Sequence, residues 1–442
     1  MPRNAALAAV LLLAAARAIA QDDPRNEYEP LRGMDRNGRI TRPAVPADLP
    51  NHPRWRYTPP GRIKPGNVLE RFLVSSFVSP IIFREQDIGF GGGFALTDVD
   101  FRNQRYREFA NILVTYSAEG QQAYRINWSR WLHVRDANEG GVWREERNRV
   151  FAHAGYSKTL TRRFYGFGSR TLRSDETSYT EELTHAGLGV RVSLPDPGSD
   201  WLVRTDIELA RHGLARGAVL GRPSTDDVFA GEFRDGDGVD QVWWENSAGF
   251  DSRDSLHQAY RGSRLAGLAN VALGTSGQLG AIVGLDAQHT IPLPPLLHRG
   301  GLTGEENPPT DVLAVGAFVH DTVGDLPYYS LPNLGGTHTL RGYIQNRFTD
   351  RAAAAFTAEY RLAIVPRGIT FTDTIRIERI GLAFFYDGGT VASGVEKLLD
   401  ARYHDSYGIG LRFAFAREAL FRADIGYSDE GSIFTLAFGN SF

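Results

Sequence analysis

The feature that most constrains the fold is a two-residue alternation of apolar and polar side chains near the C-terminus. In the last segment one face is apolar apart from Asn440, and its members are Phe434, Leu436, Phe438 and Phe442. Earlier segments at residues 380–387, 406–415 and 421–428 alternate in the same way. Because successive side chains of a β-strand point to opposite faces, each segment is predicted to be a strand with one apolar face.

Two all-β architectures contain such strands, and the sequence favours a membrane barrel over a soluble sandwich. In a sandwich the apolar face packs into a core, whereas in a membrane barrel it contacts lipid and the polar face lines the lumen. The segments are about ten residues long, which is the length that a tilted strand needs to cross a bilayer. The 48 glycines, 25 phenylalanines and 17 tyrosines, with a mean hydropathy of −0.30, suit strands of this kind.

The N-terminal residues predict export from the cytoplasm. Residues 1–20 resemble a signal peptide, with a positive charge at Arg3, an apolar stretch over 5–16 and an A-x-A cleavage motif at 18–20. A membrane anchor is the alternative, but about twelve apolar residues at ~1.5 Å each are too short for a ~30 Å hydrocarbon core. Residues 21–66 contain nine of the 22 prolines and are predicted to form an extended, poorly ordered periplasmic tail.

The remaining length sets the size of the predicted barrel. Residues 67–442 number 376, and about 23 residues per strand with its connection give about 16 strands, an even number as in bacterial barrels. We therefore predict an all-β, transmembrane antiparallel β-barrel. Long polar segments are predicted to be extracellular loops at 135–147, 216–238, 297–309 and 324–350, and the short turn at 118–120 is predicted to be periplasmic.

Short motifs, in order along the chain, resemble those of the BamA/TamA-type outer-membrane barrels, the bacterial surface antigen superfamily. They are RFYGFG (163–168), DSRD (251–254) with RG (261–262), LGG (334–336) with LRGY (340–343), FFYDGG (384–389) and SYGIGL (406–411). Each motif is short, but five in this order over about 280 residues, before a terminal phenylalanine, form a specific pattern. The resemblance covers the barrel and not the tail.

The resemblance implies a loop inserted in the lumen and held by an arginine. In that family the extracellular loop with the Arg-Gly motif folds back, and its guanidinium pairs with acidic groups on the barrel wall. Arg341 is thereby expected to contact Asp387 and Glu359, with Gly342 allowing a tight turn and Tyr343 packing at the tip. Residue parity supports this independently, since both carboxylates fall on polar faces. The alternative is that Arg341 is an exposed arginine in an ordinary hairpin loop, where an ion pair would contribute ~0–1 kcal/mol to the stability of the protein.

The resemblance also marks residues outside this loop. The barrel motifs include Asp251, Arg253, Asp254 and Gly388, and the terminal Phe442 corresponds to a C-terminal assembly signal.

The chain departs from the family at its N-terminus. Assembly and translocation members usually carry POTRA modules, which are βααββ domains, before the barrel. The 46 residues from 21 to 66 are too few and too rich in proline for one, so a barrel-only member is expected. Capture of a substrate would then depend on the barrel or on a periplasmic partner that replaces the modules.

Two functions remain open from the sequence. The first is an outer-membrane barrel that assists insertion, assembly or translocation of proteins or lipids, with outer-membrane lipid and a nascent or exported protein as partners. The alternative is a passive pore or structural surface barrel without assembly activity.

Other functional classes lack support in the sequence. The formal charge of −3 gives no field that attracts nucleic acid, and the chain has no cysteine. The sequence contains no nucleotide-binding motif (G-x-G-x-x-G or G-x-x-x-x-G-K-[ST]), no G-x-S-x-G motif of hydrolases and no H-E-x-x-H motif of zinc proteases. The eleven histidines are not spaced as metal ligands. We therefore expect no enzyme activity, catalytic residue, metal or cofactor.

Overall fold

A computed structural model describes the chain at residues 42–60, 63, 76–85, 88–138, 140–232, 238–274, 279–301, 305, 308–370, 376–415 and 419–442. The predicted signal peptide at 1–20 lies outside these residues, as does the first half of the predicted tail.

One antiparallel sheet of sixteen strands dominates the structure, which confirms the predicted all-β fold and strand number. Each strand pairs with its neighbours in sheet order. In chain order the strands are β2 (Ser76–Glu85), β3 (Gly89–Asp98), β4 (Glu108–Ser117), β5 (Gln122–Trp131), β8 (Arg149–Phe164), β9 (Thr177–Leu194), β10 (Trp201–Arg216), β11 (Asp240–Asp251), β12 (Gly262–Gly274), β13 (Leu279–Leu293), β14 (Asp311–Gly324), β17 (Ala352–Val365), β20 (Arg379–Ala392), β21 (His404–Phe415), β22 (Ala419–Ser428) and β23 (Gly431–Phe438).

Shorter elements occupy the connections. The additional strands are β1 (Trp55–Thr58), β6 (Val134–Asp136), β7 (Val142–Glu145), β15 (Asn333–Leu334), β16 (Phe348–Thr349), β18 (Ile369–Thr370) and β19 (Arg376–Ile377). Helical structure in the described parts consists of one α-helix (Thr225–Val228) and 3₁₀ turns at His52–Arg54, Phe101–Asn103, Arg173–Asp175, Tyr328–Ser330 and Val395–Asp400. No helix there is both long and apolar enough for a membrane span.

The two faces of the sheet differ in polarity as the alternation predicts. On β10, Ile207 and Leu209 expose more than half of their surface, whereas Asp206 on the same strand is buried. The exposed apolar face is called the outer face, and the face that carries the polar side chains is called the inner face. Large exposed apolar side chains recur on most strands, which is the arrangement expected for contact with lipid.

The connections alternate between two ends because consecutive strands are antiparallel. The chain enters the sheet at β2 and, after an even number of strands, leaves it from β23 at the same end, here called the terminal end. The opposite end is called the loop end. The connection from β10 to β11 and the connection from β14 to β17 (325–351) join their strands at the loop end.

The predicted grouping of the connections at the two ends is wrong. The connection from β5 to β8 and the connection from β13 to β14 join their strands at the terminal end, so the four long segments do not share one end as predicted. The turn at 118–121 lies at the loop end, together with the segments that it was expected to oppose. The length and polarity of a connection do not report its end, which depends on the count of the strands before it.

A small sheet of β1, β7 and β6, here called the terminal sheet, lies at the terminal end. Trp55 and Tyr57 of β1 are buried in a cluster with Trp143 of β7. This part of residues 21–66 therefore differs from the expected poorly ordered tail, because its aromatic side chains supply enough apolar surface to pack.

The outermost strands of the sixteen-stranded sheet are β2 and β23. Among the described residues no backbone ladder joins them. Their positions identify the two edges that a closed barrel would bring together.

Candidate functional site

The loop between β14 and β17 folds back over the inner face of the sheet. Its short strands β15 and β16 pair with each other, and its apolar side chains pack against two strands of the wall. The members of this apolar cluster are Leu334, Leu340, Tyr343 and Phe348 of the loop, Ala353 of β17 and Val391 of β20. The cluster places the loop inside the protein and brings its arginine to the wall.

The side chain of Arg341 is fully buried against that wall. Its Nε and Nη2 donate to the two carboxylate oxygens of Asp387 at 2.9 and 2.8 Å, and its Nη1 donates to Glu359 Oε2 at 2.7 Å. Nη2 also donates to Thr357 Oγ1 at 3.2 Å, and the Arg341 backbone N–H donates to Asp387 at 3.0 Å. The guanidinium carbon lies 3.6 Å from the centre of the Phe385 ring. A planar cation with bidentate and stacking contacts is fixed in both position and orientation.

The predicted carboxylates are part of a larger network. Asp424 of β22 lies 3.8 Å from Arg341 and accepts hydrogen bonds from Arg412 and Arg422, each at 2.5 Å. Arg412 also donates to Glu359 at 3.0 Å. The network comprises four arginines and three carboxylates, which are Arg341, Arg361, Arg412, Arg422, Glu359, Asp387 and Asp424.

Sequence reasoning missed Asp424, Thr357 and Phe385 as members of this site. Asp424 lies on the polar face of its predicted strand, so residue parity could have marked it as inward. Its contact with Arg341 depends on strands that are neighbours only in the folded sheet, and parity does not give that distance.

Gly342 lies in the expected tight turn, in which the Tyr343 backbone N–H donates to the Leu340 carbonyl at 2.8 Å, and it also allows a close approach to β22. The positive backbone φ in this motif belongs to Leu340 at 43°. A Cβ at Gly342 would lie 2.5 Å from the Tyr427 carbonyl oxygen and 2.8 Å from Ser406 Cβ. The Gly342 carbonyl accepts a hydrogen bond from Ser428 at 2.8 Å, so the loop backbone lies directly on the end of β22.

Tyr343 and Arg347 connect the loop to the hairpin between β22 and β23. The Tyr343 hydroxyl donates to Asp429 at 2.6 Å, and Arg347 Nε donates to Glu430 at 2.8 Å. Burial and the hydrogen bond to Asp429 raise the pKa of the Tyr343 phenol, which therefore remains a donor. Arg347 also donates to Thr171 in the connection after β8, which follows the RFYGFG motif.

Gly388 lies where a neighbouring ring approaches β20. A Cβ at Gly388 would lie 1.6 Å from the Tyr403 hydroxyl oxygen, so a larger residue would displace that ring. Gly388, next to Asp387, thus allows the Tyr403 ring to pack against β20.

The DSRD residues lie at the terminal end, away from the loop. Arg253 donates to both oxygens of Asp251 at 3.0 and 2.8 Å, and Asp254 accepts from the Tyr260 backbone at 2.9 Å. The terminal sheet is bound to the backbone of this turn. Arg54, which directly precedes β1, donates hydrogen bonds to the Ser252 and Arg253 carbonyls. The structure therefore places this motif at a docking point and not in the arginine network.

The terminal Phe442 does not complete the apolar outer face as expected. Strand β23 ends at Phe438, and Gly439 has a φ of 79°. The Phe442 ring instead lies over Gly316 on the inner face of β14, 5.4 Å from the Arg361 guanidinium carbon. The chain turns inward after the strand, and periodicity cannot show such a turn.

The fold and the pinned loop define a class of protein. Sixteen antiparallel strands that are apolar on the outside, with a long loop folded onto their inner face, are those of an outer-membrane β-barrel. The chain belongs to the Omp85 superfamily, whose superfamily domain matches residues 152–442, and the protein is located in the outer membrane. In general, the function of this superfamily is insertion of proteins into the outer membrane or their secretion.

The solved structures that are similar to this chain include two CdiB proteins and one BamA. CdiB from Escherichia coli is 11% identical with a TM-score of 0.50, covering 82% of this chain and 61% of CdiB. BamA from Haemophilus ducreyi lacking POTRA domains 1–3 is 12% identical with a TM-score of 0.47, covering 82% and 68%. CdiB from Acinetobacter baumannii is 12% identical with a TM-score of 0.46, covering 83% and 59%.

The chain spans about three fifths of the length of the two CdiB proteins. No curated protein sequence is significantly similar to it. In the described residues before β2, the regular structure is a 3₁₀ turn and strand β1, without a βααββ unit.

Proposed function

We propose that this barrel assists the insertion, assembly or translocation of proteins at the outer membrane, with the loop at 325–351 holding the barrel wall in one state. The observation that carries the proposal is the buried contact of Arg341 with Asp387 and Glu359. An arginine fully removed from solvent and bound to two strands fixes a loop much more firmly than a surface ion pair does.

The polar network of the loop lies on one side of the sheet, whereas Tyr328 and Leu331 at the start of the loop pack in an apolar cluster with β8, β9 and β10. The network joins the loop to β17, β20, β21 and β22, and the contacts of Tyr343 and Arg347 reach the hairpin that leads into β23. Strand β23 is one outer edge of the sheet. Loosening the loop would therefore first affect the strands next to this edge.

The mechanism that we propose uses the two sheet edges, β2 and β23. Unpaired strand edges present backbone donors and acceptors, so an incoming strand can add to them. In the engaged state the loop holds the β22–β23 hairpin, and in the released state that hairpin could move away from β2. The partners are outer-membrane lipid and an unfolded outer-membrane or exported protein.

The terminal sheet supports a separate site for a periplasmic partner. With the loop end at the cell surface, this sheet faces the periplasm, where substrates arrive. We propose that a partner protein which takes the place of POTRA modules delivers the substrate at this end.

Reconstitution tests the proposal. Wild type, Arg341→Ala and the control Arg211→Ala would be placed in liposomes, and the rate at which an unfolded β-barrel substrate inserts would be measured by protease protection. The side chain of Arg211 is 80% exposed and pairs with Asp240, so the Arg211→Ala substitution removes the same charge without breaking a buried contact. We expect wild type and Arg211→Ala to accelerate insertion and Arg341→Ala to do so less.

Channel recordings on the same samples examine the alternative. Steady conductance with no acceleration of insertion or translocation would favour the passive pore and contradict the proposal.

A further inference from the structure

Three potential metal ligands meet on the inner face of β8, β9 and β10. His153 Nε2 lies 2.6 Å from Glu208 Oε2, and His185 Nδ1 lies 3.5 Å from the same oxygen. The three ligand atoms all lie within 4.8 Å of one another. In the chain these residues are tens of positions apart, so their sequence spacing gave no indication of a site.

The register of the strands produces this meeting. His153 on β8 and Glu208 on β10 are both directly opposite Gly187 on β9. His185 lies two residues before Gly187 on the same strand and opposite Gly155 of β8. Alternate residues share a face, so all three side chains project to the same side of the sheet.

Two glycines leave room for the imidazoles. A Cβ at Gly187 would lie 2.6 Å from His153 Nε2, and a Cβ at Gly155 would lie 2.6 Å from His185 Nε2. Each ring therefore occupies the space that a side chain at the neighbouring strand's glycine would fill. Any other residue at these two positions would force the rings apart.

The charge environment separates this cluster from other histidine–carboxylate pairs on the inner face. In the described part of the chain, the ion-pair partners of Glu208 are the two imidazoles. By contrast, Asp286 pairs with His320 at 2.9 Å and also with Arg264 at 3.4 Å. A guanidinium at a carboxylate competes with a cation, whereas imidazoles supply further ligands to it.

Solvent can reach the cluster. The side chains of His153, His185 and Glu208 are 19%, 20% and 23% exposed. A hydrated ion can thus enter from the lumen without opening the wall, and a water can complete its coordination.

We propose that His153, His185 and Glu208 bind a divalent first-row transition-metal cation, with Zn²⁺ as the ion of best fit. Two imidazole nitrogens and one carboxylate oxygen are a common protein donor set for zinc, with water in the fourth position. Bonds of ~2.1 Å would place the ligand atoms roughly 3.4 Å apart, so the ion replaces the His153–Glu208 hydrogen bond and small side-chain rotations complete the site. The bound ion would cross-link three consecutive strands.

The site is independent of the function proposed above. The nearest strands of the two sites, β10 for the metal ligands and β17 for the arginine network, are five places apart in the sheet order. Loss of the metal site therefore would not imply loss of the loop contacts.

Metal binding by purified, folded protein in detergent tests the proposal. Full-length protein would be dialysed against Zn²⁺ and its metal content measured, and Co²⁺ would serve as a spectroscopic probe of tetrahedral coordination by nitrogen and oxygen. We expect one Zn²⁺ per chain, Co²⁺ absorption typical of a tetrahedral site, and a rise in the temperature of unfolding when Zn²⁺ is present.

Matched variants locate the ion. His185→Ala and Glu208→Gln should each weaken Zn²⁺ binding by at least about tenfold, and the Glu208→Gln side chain preserves size and hydrogen bonding if alanine disturbs the fold. His320→Ala removes an imidazole from a pair with a single histidine and should leave binding unchanged. Absence of stoichiometric binding in wild type, or equal binding by wild type and Glu208→Gln, would overturn the proposal.

Discussion

Replacing Arg341 with alanine should release the loop while the barrel still forms. The substitution removes four side-chain hydrogen bonds, two of them to Asp387. Asp387 keeps the Thr357 hydroxyl at 2.6 Å and one backbone N–H, and Glu359 keeps two other arginines. Breaking a buried ion pair costs about 3–5 kcal/mol, and these remaining donors put the expected loss near the lower limit, about 3 kcal/mol.

A loss of that size has a measurable consequence for the loop. About 3 kcal/mol corresponds to a rise of roughly a hundredfold in the population of the open loop. Hydrogen exchange at the backbone amides of residues 333–349 should accelerate by about that factor, since exchange follows local opening. Amides in β3 to β5 should exchange as in wild type, because neither the network nor the apolar cluster of Tyr328 and Leu331 includes those strands.

Two controls make this prediction refutable. The exposed Arg211→Ala variant should leave loop exchange unchanged. In a double-mutant cycle with Asp387→Ala, the effects should be strongly non-additive, because both variants break the same contact. Equal exchange in wild type and Arg341→Ala, with a folded barrel in both, would refute the role assigned to this arginine.

Three further perturbations follow from the same contacts. Gly342→Ala should loosen the loop by about 1–3 kcal/mol, because its Cβ would meet the Tyr427 carbonyl at 2.5 Å; faster loop proteolysis would show it. Tyr343→Phe removes the 2.6 Å hydrogen bond to Asp429 and should cost about 0.5–1.5 kcal/mol, measured as faster exchange in the β22–β23 hairpin. The pKa of the Tyr343 phenol is raised in the folded state, whereas in the unfolded state the phenol loses its proton near its ordinary pKa of about 10. The stability of the loop should therefore fall as the pH rises above about 10 in wild type, and it should fall less in Tyr343→Phe. Arg54→Ala should release the terminal sheet to protease while the loop stays protected, since Arg54 bonds to the turn after β11.

Much of the site could be predicted from residue parity, that is, from the alternation of side chains between the two faces of each strand. It placed Glu359 and Asp387 on inward faces, and the resemblance of the Arg-Gly motif to a known family placed Arg341 between them. Both inferences concern side chains within single strands or a short motif, where local periodicity is informative.

Contacts between residues that are far apart in the sequence could not be predicted from residue parity. The contact of Asp424 with the network and the meeting of His153, His185 and Glu208 both require the register of several strands. The packing of Trp55 at the terminal end likewise needs a partner about ninety residues away, at Trp143. No local pattern in a single sequence encodes such distances.

An experimental structure of the protein in a lipid nanodisc tests the central claim most directly, with the position of the Arg341 side chain as the measured quantity. The account predicts a guanidinium buried inside the barrel, with Nη2 about 2.8 Å from Asp387 and Nη1 about 2.7 Å from Glu359. A loop that projects into solvent, with Arg341 far from both carboxylates, would contradict it.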